Sequence, residues 1–123
     1  MVIVKHHCGL NFLEINNGLF KHYLGLPIYQ RRGNVVNIYH GLPVYEIKGN
    51  TIKQYLGLET FELVGNVFKH TLGLPIFIIS GYTIKSSLGF PLYEIRGQIA
   101  RQDLLLLLTY LYKKDGGNAH GNY

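Results

Sequence analysis

The stretch GLPVYEIKGNTIKQYL, Gly41 to Leu56, decides the fold. Apolar and polar residues alternate on both sides of a central Gly49-Asn50. That dipeptide suits a two-residue hairpin turn of type II′, which needs glycine at its first central position. A two-residue turn also fixes the register. Lys48 faces Thr51, Ile47 faces Ile52, Glu46 faces Lys53 and Tyr45 faces Gln54. One face of this hairpin then carries an opposed Glu-Lys pair, and the other carries isoleucines beside a tyrosine.

The same pattern recurs along the chain with a period of 16 residues, in units beginning at Gly9, Gly25, Gly41, Gly57, Gly73 and Gly89. A second glycine sits mid-unit at Gly33, Gly49, Gly65, Gly81 and Gly97. The first unit has Asn17-Gly18 there instead, which suits the type I′ turn and its two positive φ angles. Reading the third cross-strand pair through the units gives Glu14/Lys21, Gln30/Asn37, Glu46/Lys53, Glu62/Lys69, Ile78/Lys85 and Glu94/Arg101, of which four are opposite charges. Opposed charges belong on a solvated face and contribute a few tenths of a kcal/mol each. A β-solenoid with glycine corners also has an eight-residue period, but it does not explain charges recurring at the offset a tight turn dictates. The other face holds Ile15/Phe20, Arg31/Val36, Ile47/Ile52, Leu63/Phe68, Ile79/Ile84 and Ile95/Ala100, next to Leu13, Tyr29, Tyr45, Phe61, Phe77 and Tyr93. Such hairpins cannot bury their apolar side singly and are expected to share one interior.

Both ends modify the repeat. Ile3-Val4-Lys5-His6 matches the second strand of a unit but lacks its first, while the sixth unit has a first strand and then runs into Gln102-Asp103 and Leu104 to Leu108. The N-terminal strand is therefore expected to pair with the sixth unit and close a ring of twelve strands without free edges. Helix is expected over about 102–114: leucine favours it, Asp103 suits its first turn, and Lys113-Lys114 before Gly116-Gly117 suit its end. Apolar on every side, it has to be surrounded, and the inside of the ring is the economical place. The fold class read here is all-β: six hairpins closed into a shallow barrel of about twelve strands with a C-terminal helix inside, one domain over 1–114 and a flexible tail at 115–123.

Composition agrees with that reading. The chain has 123 residues, 47% hydrophobic and 15% charged, with 15 Gly, 10 Tyr, no Trp and one Cys. Cys8 alone cannot make an internal disulfide, no signal peptide is evident, and the run from Leu104 to Tyr112 is about half a bilayer span, so a cytoplasmic protein, at most membrane-peripheral, is expected. The net charge of +5 and pI of about 9.4 allow attraction to anionic lipid, nucleic acid or acidic protein.

Twelve antiparallel strands around a hydrophobic C-terminal helix resembles the tubby-like barrel of tubby C-terminal domains and phospholipid scramblases. GLPVYEIKGNTIKQYL and GFPLYEIRGQIARQDL are also similar to the hairpin repeats of bacterial β-flower proteins, usually four-fold where this chain has six units. The tubby resemblance implies phosphoinositide or membrane association, with no ligand motif that maps onto particular residues here.

Several side chains are candidates for binding. Tyr29, Tyr45 and Tyr93 ring the inward face, and His22, His70 and His6 share an adjacent inward column, where imidazoles could line a ligand or, as a remote alternative, hold a metal. Tyr23, Tyr39 and Tyr55 flank Lys21 and Lys53 on the outer face, and Arg31 and Arg32 mark the charge-poor second unit. These form a candidate surface for lipid headgroups or protein, with nucleic acid less favoured. Cys8 shares a column with Leu24, Leu56, Leu72, Leu88 and Leu104 and is expected to be a small buried hydrophobe. No acyl-transfer triad, phosphate loop, cofactor motif or metal-ligand set is evident. The expected function is a non-enzymatic module binding an apolar or anionic-lipid ligand or a protein surface. The alternative is a structural, self-assembling protein that uses its tyrosine-rich side.

Overall fold

A computed structural model describes residues 1–115. Twelve antiparallel strands close into a single barrel: β1 (Val2–His6), β2 (Asn11–Asn16), β3 (Leu19–His22), β4 (Pro27–Arg32), β5 (Val35–Ile38), β6 (Pro43–Lys48), β7 (Thr51–Gln54), β8 (Thr60–Val64), β9 (Val67–His70), β10 (Pro75–Ser80), β11 (Thr83–Ser86) and β12 (Pro91–Arg96). One helix follows, α1 (Arg101–Lys114). Sequence neighbours pair all round, and β1 completes the ring between β12 and β2. Every strand edge is thereby satisfied.

The register is the one the turns dictate. Lys48 faces Thr51, Glu46 faces Lys53 and Tyr45 faces Gln54, and the corresponding pairs recur in β2–β3, β4–β5, β8–β9 and β10–β11. Gly33, Gly49, Gly65 and Gly81 take φ of 57° to 61° at the first turn position, as type II′ requires, whereas Asn17 and Gly18 are both positive, as type I′ requires. The expected Glu94/Arg101 pair does not form. Arg101 begins the helix, and Lys5 of the N-terminal strand stands opposite Glu94, with Nζ 3.8 Å from its carboxylate. Five of the six pairings between units carry a bulge, β7–β8 being regular. A bulge sharpens local twist, which helps a sheet of short strands curl shut.

Twelve strands enclose a lumen too wide for strand side chains alone to fill, and α1 fills it. Leu105 to Leu108, Thr109 and Leu111 are completely buried, in one core with Val4, Leu13, Phe20, Val36, Ile52, Leu63 and Phe68. A helix of 14 residues is about 21 Å long, close to the roughly 20 Å of a six-residue strand, so one helix spans the barrel. Its ends are fastened at opposite rims. At the tight-turn rim, Arg31 Nε donates to Asp103 Oδ1 at 2.6 Å and Arg101 Nε to Asn50 Oδ1 at 3.1 Å. At the other rim, Lys113 pairs with Glu59, and Lys114 Nζ lies 5.0 Å from the centre of the Phe12 ring. Those lysines also complement the negative end of the helix dipole. Of the expected tail, only Asp115 falls within the described residues.

Candidate functional site

The inward candidates are engaged by the helix. Tyr29 packs edge-on against Tyr45 and Tyr110, each at 6.2 Å between ring centres. Tyr93 donates its hydroxyl hydrogen to the Asp115 carboxylate at 2.6 Å. His70 Nε2 is 3.1 Å from the Tyr112 hydroxyl, and its ring stacks on Phe61 at 4.7 Å. Burial raises the Tyr29, Tyr45 and Tyr93 phenols above the ordinary tyrosine range, aided at Tyr93 by the bond to Asp115. Packing against one another, against α1 and against Asp115 ties these three phenols into the fold. His22 is exposed at the rim, and His6 stacks on Phe12 at 4.5 Å. The histidine column therefore does not converge, and among the described residues no cluster of three or more His, Cys, Asp or Glu side chains could hold a metal.

The outward candidates separate into two groups. Tyr23, Tyr39 and Tyr55 occupy equivalent positions on successive units, each 37% exposed. Lys53 and Arg32 are exposed, and Lys21 lies 3.5 Å from the Glu14 carboxylate. Arg31 does not belong with them. Its guanidinium turns inward to Asp103 and to the Gly33 carbonyl at 2.7 Å, so it secures the helix and presents little to a partner.

The column of Cys8 requires the larger correction. Cys8, Leu24, Leu56, Leu72 and Leu88 are exposed, because this column falls past the strand ends, in the loops that join one unit to the next. Only Leu104, which belongs to the helix, is partly buried. In each loop the glycine N–H donates to the carbonyl three residues earlier, for example Gly25 to His22 at 2.9 Å and Gly57 to Gln54 at 3.1 Å. The column residue is thus the third member of a β-turn. Up-and-down topology brings all six loops to one end of the barrel, opposite the Gly-Asn turns.

That end is an apolar crown. Ten side chains project there at 64% exposure or more: Leu10, Leu42, Leu24 with Leu26, Leu56 with Leu58, Leu72 with Leu74, and Leu88 with Phe90. Leu56, Leu58 and Leu72 reach 91%, 97% and 100%. The backbone adds a second anomaly, since Leu24 and Leu56, like Cys8 and His40 at the same turn position, have φ of 56° to 58°. Left-handed φ at that turn position favours glycine or asparagine, and a branched apolar residue there is strained by about 1–2 kcal/mol. The sequence thus places leucine where neither burial nor backbone geometry asks for it. The loops are also braced: Glu14 Oε1 accepts from the Leu24 N–H at 3.1 Å, Asn37 Nδ2 donates to the Gly41 carbonyl at 3.1 Å, and Glu59 is held by Lys113.

The crown is the feature that strand patterning misses. Its signal in the sequence is the tripeptide Leu-Gly-Leu at Leu24, Leu56 and Leu72, with Leu-Gly-Phe at Leu88, in loops where polar residues are the rule. The opposite rim shows that rule, with Asn17, Asn34, Asn50 and Asn66 in its turns.

No known protein family, curated protein or solved structure matches the chain. Fold and site together define a helix-filled hairpin-repeat barrel with an apolar crown at one end and, at the other, asparagine-bearing turns interrupted by exposed Tyr82 and Val64. No helix among the described residues is long and apolar enough to cross a membrane.

Proposed function

We propose that this chain is a non-enzymatic binding module that acts with its outer surface, and that its target is an anionic lipid surface. The observation that carries this reading is the polarity of the molecule: an interior occupied by α1, and ten exposed apolar side chains gathered at one rim of a chain with net charge +5. Apolar exposure concentrated in this way marks interaction sites, and the charge favours anionic partners. Kinship with tubby-like or β-flower barrels is part of the same proposal, supported by the ring of strands around a C-terminal helix.

Flotation with phosphatidylcholine vesicles, with and without phosphatidylserine, tests it. Cofloating that requires phosphatidylserine and weakens with salt is the expected result. A protein that stays at the bottom of the gradient with both compositions overturns it.

Self-assembly is the second reading, and the row of Tyr23, Tyr39 and Tyr55 favours it. The closed barrel offers no strand edge to a second copy, so assembly would use side chains. Light scattering over a concentration series distinguishes the two, because a persistent monomer removes this reading.

A further inference from the structure

We infer that the barrel docks end-on, with its leucine crown inserted into the interfacial region of an anionic bilayer and the C-terminal end of α1 facing the headgroups. This deepens the proposed function and rests on it.

The shape of the crown selects a bilayer over other partners. The ten side chains come from six loops at equivalent positions of a closed repeat, so they form a ring of separate tips around the helix end. The clefts between tips are local, like the one lined by Leu58, Glu59, His70 and Leu72, and lie between neighbouring loops, so the apolar tips stand apart from one another. A fluid, laterally uniform surface can solvate every tip at once, because its headgroups and chains rearrange around each one. Insertion into the boundary between headgroups and acyl chains is the usual position of peripheral apolar anchors.

Charge selects an anionic bilayer over a second copy. Lys114 lies within the crown end, against Phe12 and Tyr93, at 5.0 and 5.8 Å from the ring centres. Lys113 is neutralised by Glu59, and crown-to-crown packing of two copies would set Lys114 against its counterpart. An anionic headgroup layer meets the Lys114 ammonium with opposite charge.

Conformation supplies the third argument. Leu24 and Leu56 lie in the left-handed region and are directed into water, and backbone strain at exposed positions clusters at functional sites. The braced loops hold the leucines out before any partner is met, which limits the ordering required on binding. Together these features describe a preformed insertion surface.

Cys8 makes the inference testable in the intact protein, since it is the single cysteine, is exposed, and lies in a crown loop. An environment-sensitive fluorophore on Cys8 is expected to shift to the blue on addition of phosphatidylserine-containing vesicles. The same probe on Cys8→Ser/Asn66→Cys, at the opposite rim, is expected to stay unchanged. Leu24→Asn/Leu56→Asn is expected to lower vesicle partition by about tenfold or more, given the apolar transfer of two leucines, with an unfolding midpoint no lower than that of the parent.

The outcomes separate the two claims. Without flotation, the binding proposal fails and this one with it. Flotation with an unresponsive Cys8 probe, or with equal responses at both ends, refutes end-on insertion and leaves lipid binding standing. Unchanged partition of the double variant also refutes the crown.

Discussion

Replacing exposed crown leucines is expected to make the barrel more stable. Leu56 has φ of 58° and is 91% exposed, and Leu24 has φ of 56° and is 80% exposed. Leucine in the left-handed region is strained by about 1–2 kcal/mol, because Cβ approaches the carbonyl oxygen, whereas asparagine visits this region routinely. Almost no burial is lost with the side chain. Leu56→Asn and Leu24→Asn are each expected to raise the unfolding free energy by about 0.5–1 kcal/mol. The two loops belong to non-adjacent units, so the effects should add to about 1–2 kcal/mol. For a domain of this size that is roughly 4–8 °C in midpoint, within reach of thermal unfolding followed by circular dichroism. Leu72→Asn is the internal control: Leu72 is 100% exposed but outside the left-handed region, so its replacement should fall within about 0.5 kcal/mol of the parent. A fall in midpoint for both left-handed variants would refute the reasoning, since it would mean that these leucines contribute folded-state contacts.

Other perturbations address the filled interior. Leu107→Ala removes a fully buried side chain from the core and is expected to lose about 2–5 kcal/mol in urea titration. Arg31→Met leaves the Asp103 carboxylate, 9% exposed, without its partner and is expected to lose about 2–4 kcal/mol; Arg31→Met/Asp103→Leu should recover most of it, and a double variant as unstable as the sum of the two singles would show no coupling. The Tyr29, Tyr45, Tyr93, Tyr110 and Tyr112 phenols are all raised, chiefly by burial. Each folded pKa exceeds its unfolded value, so their contribution is complete below the unfolded tyrosine value near 10 and is lost as pH rises above it. Alkaline titration at a tyrosinate absorption wavelength should therefore show Tyr29, Tyr45 and Tyr93, the most deeply buried of the five, ionising with loss of tertiary circular dichroism. Their ionisation in a fully folded barrel would contradict the helix-filled interior.

Register was legible in the sequence because a two-residue turn permits only one pairing. Glu14 opposite Lys21 and Ile47 opposite Ile52 follow from glycine and asparagine positions alone. Closure was legible too, since Ile3 to His6 carries a second-strand pattern with no first strand. The helix was legible from a leucine run that no solvated surface could accommodate. Three assignments fell short. Cys8 and its leucine column read as core because hydropathy does not reveal whether a residue lies on a strand face or past its end. Arg31 was placed with the surface candidates because the charge that turns it inward, Asp103, is 72 residues away. Glu94 was matched with Arg101, although helix formation claims Arg101 and leaves Lys5 to face Glu94.

The repeat by itself determined the hairpins, their two faces and the need for a shared interior, since turn chemistry and side-chain alternation are local and act within about 16 residues. Tertiary structure decided what the closed ring does with its ends. Only closure gathers six separated loops at one rim, turning ten scattered apolar residues into a crown. Only the helix, anchored by Arg31 at one rim and Glu59 at the other, converts a lumen into a core. Contacts of that kind join residues distant in sequence, and the period that specifies each hairpin carries no record of them.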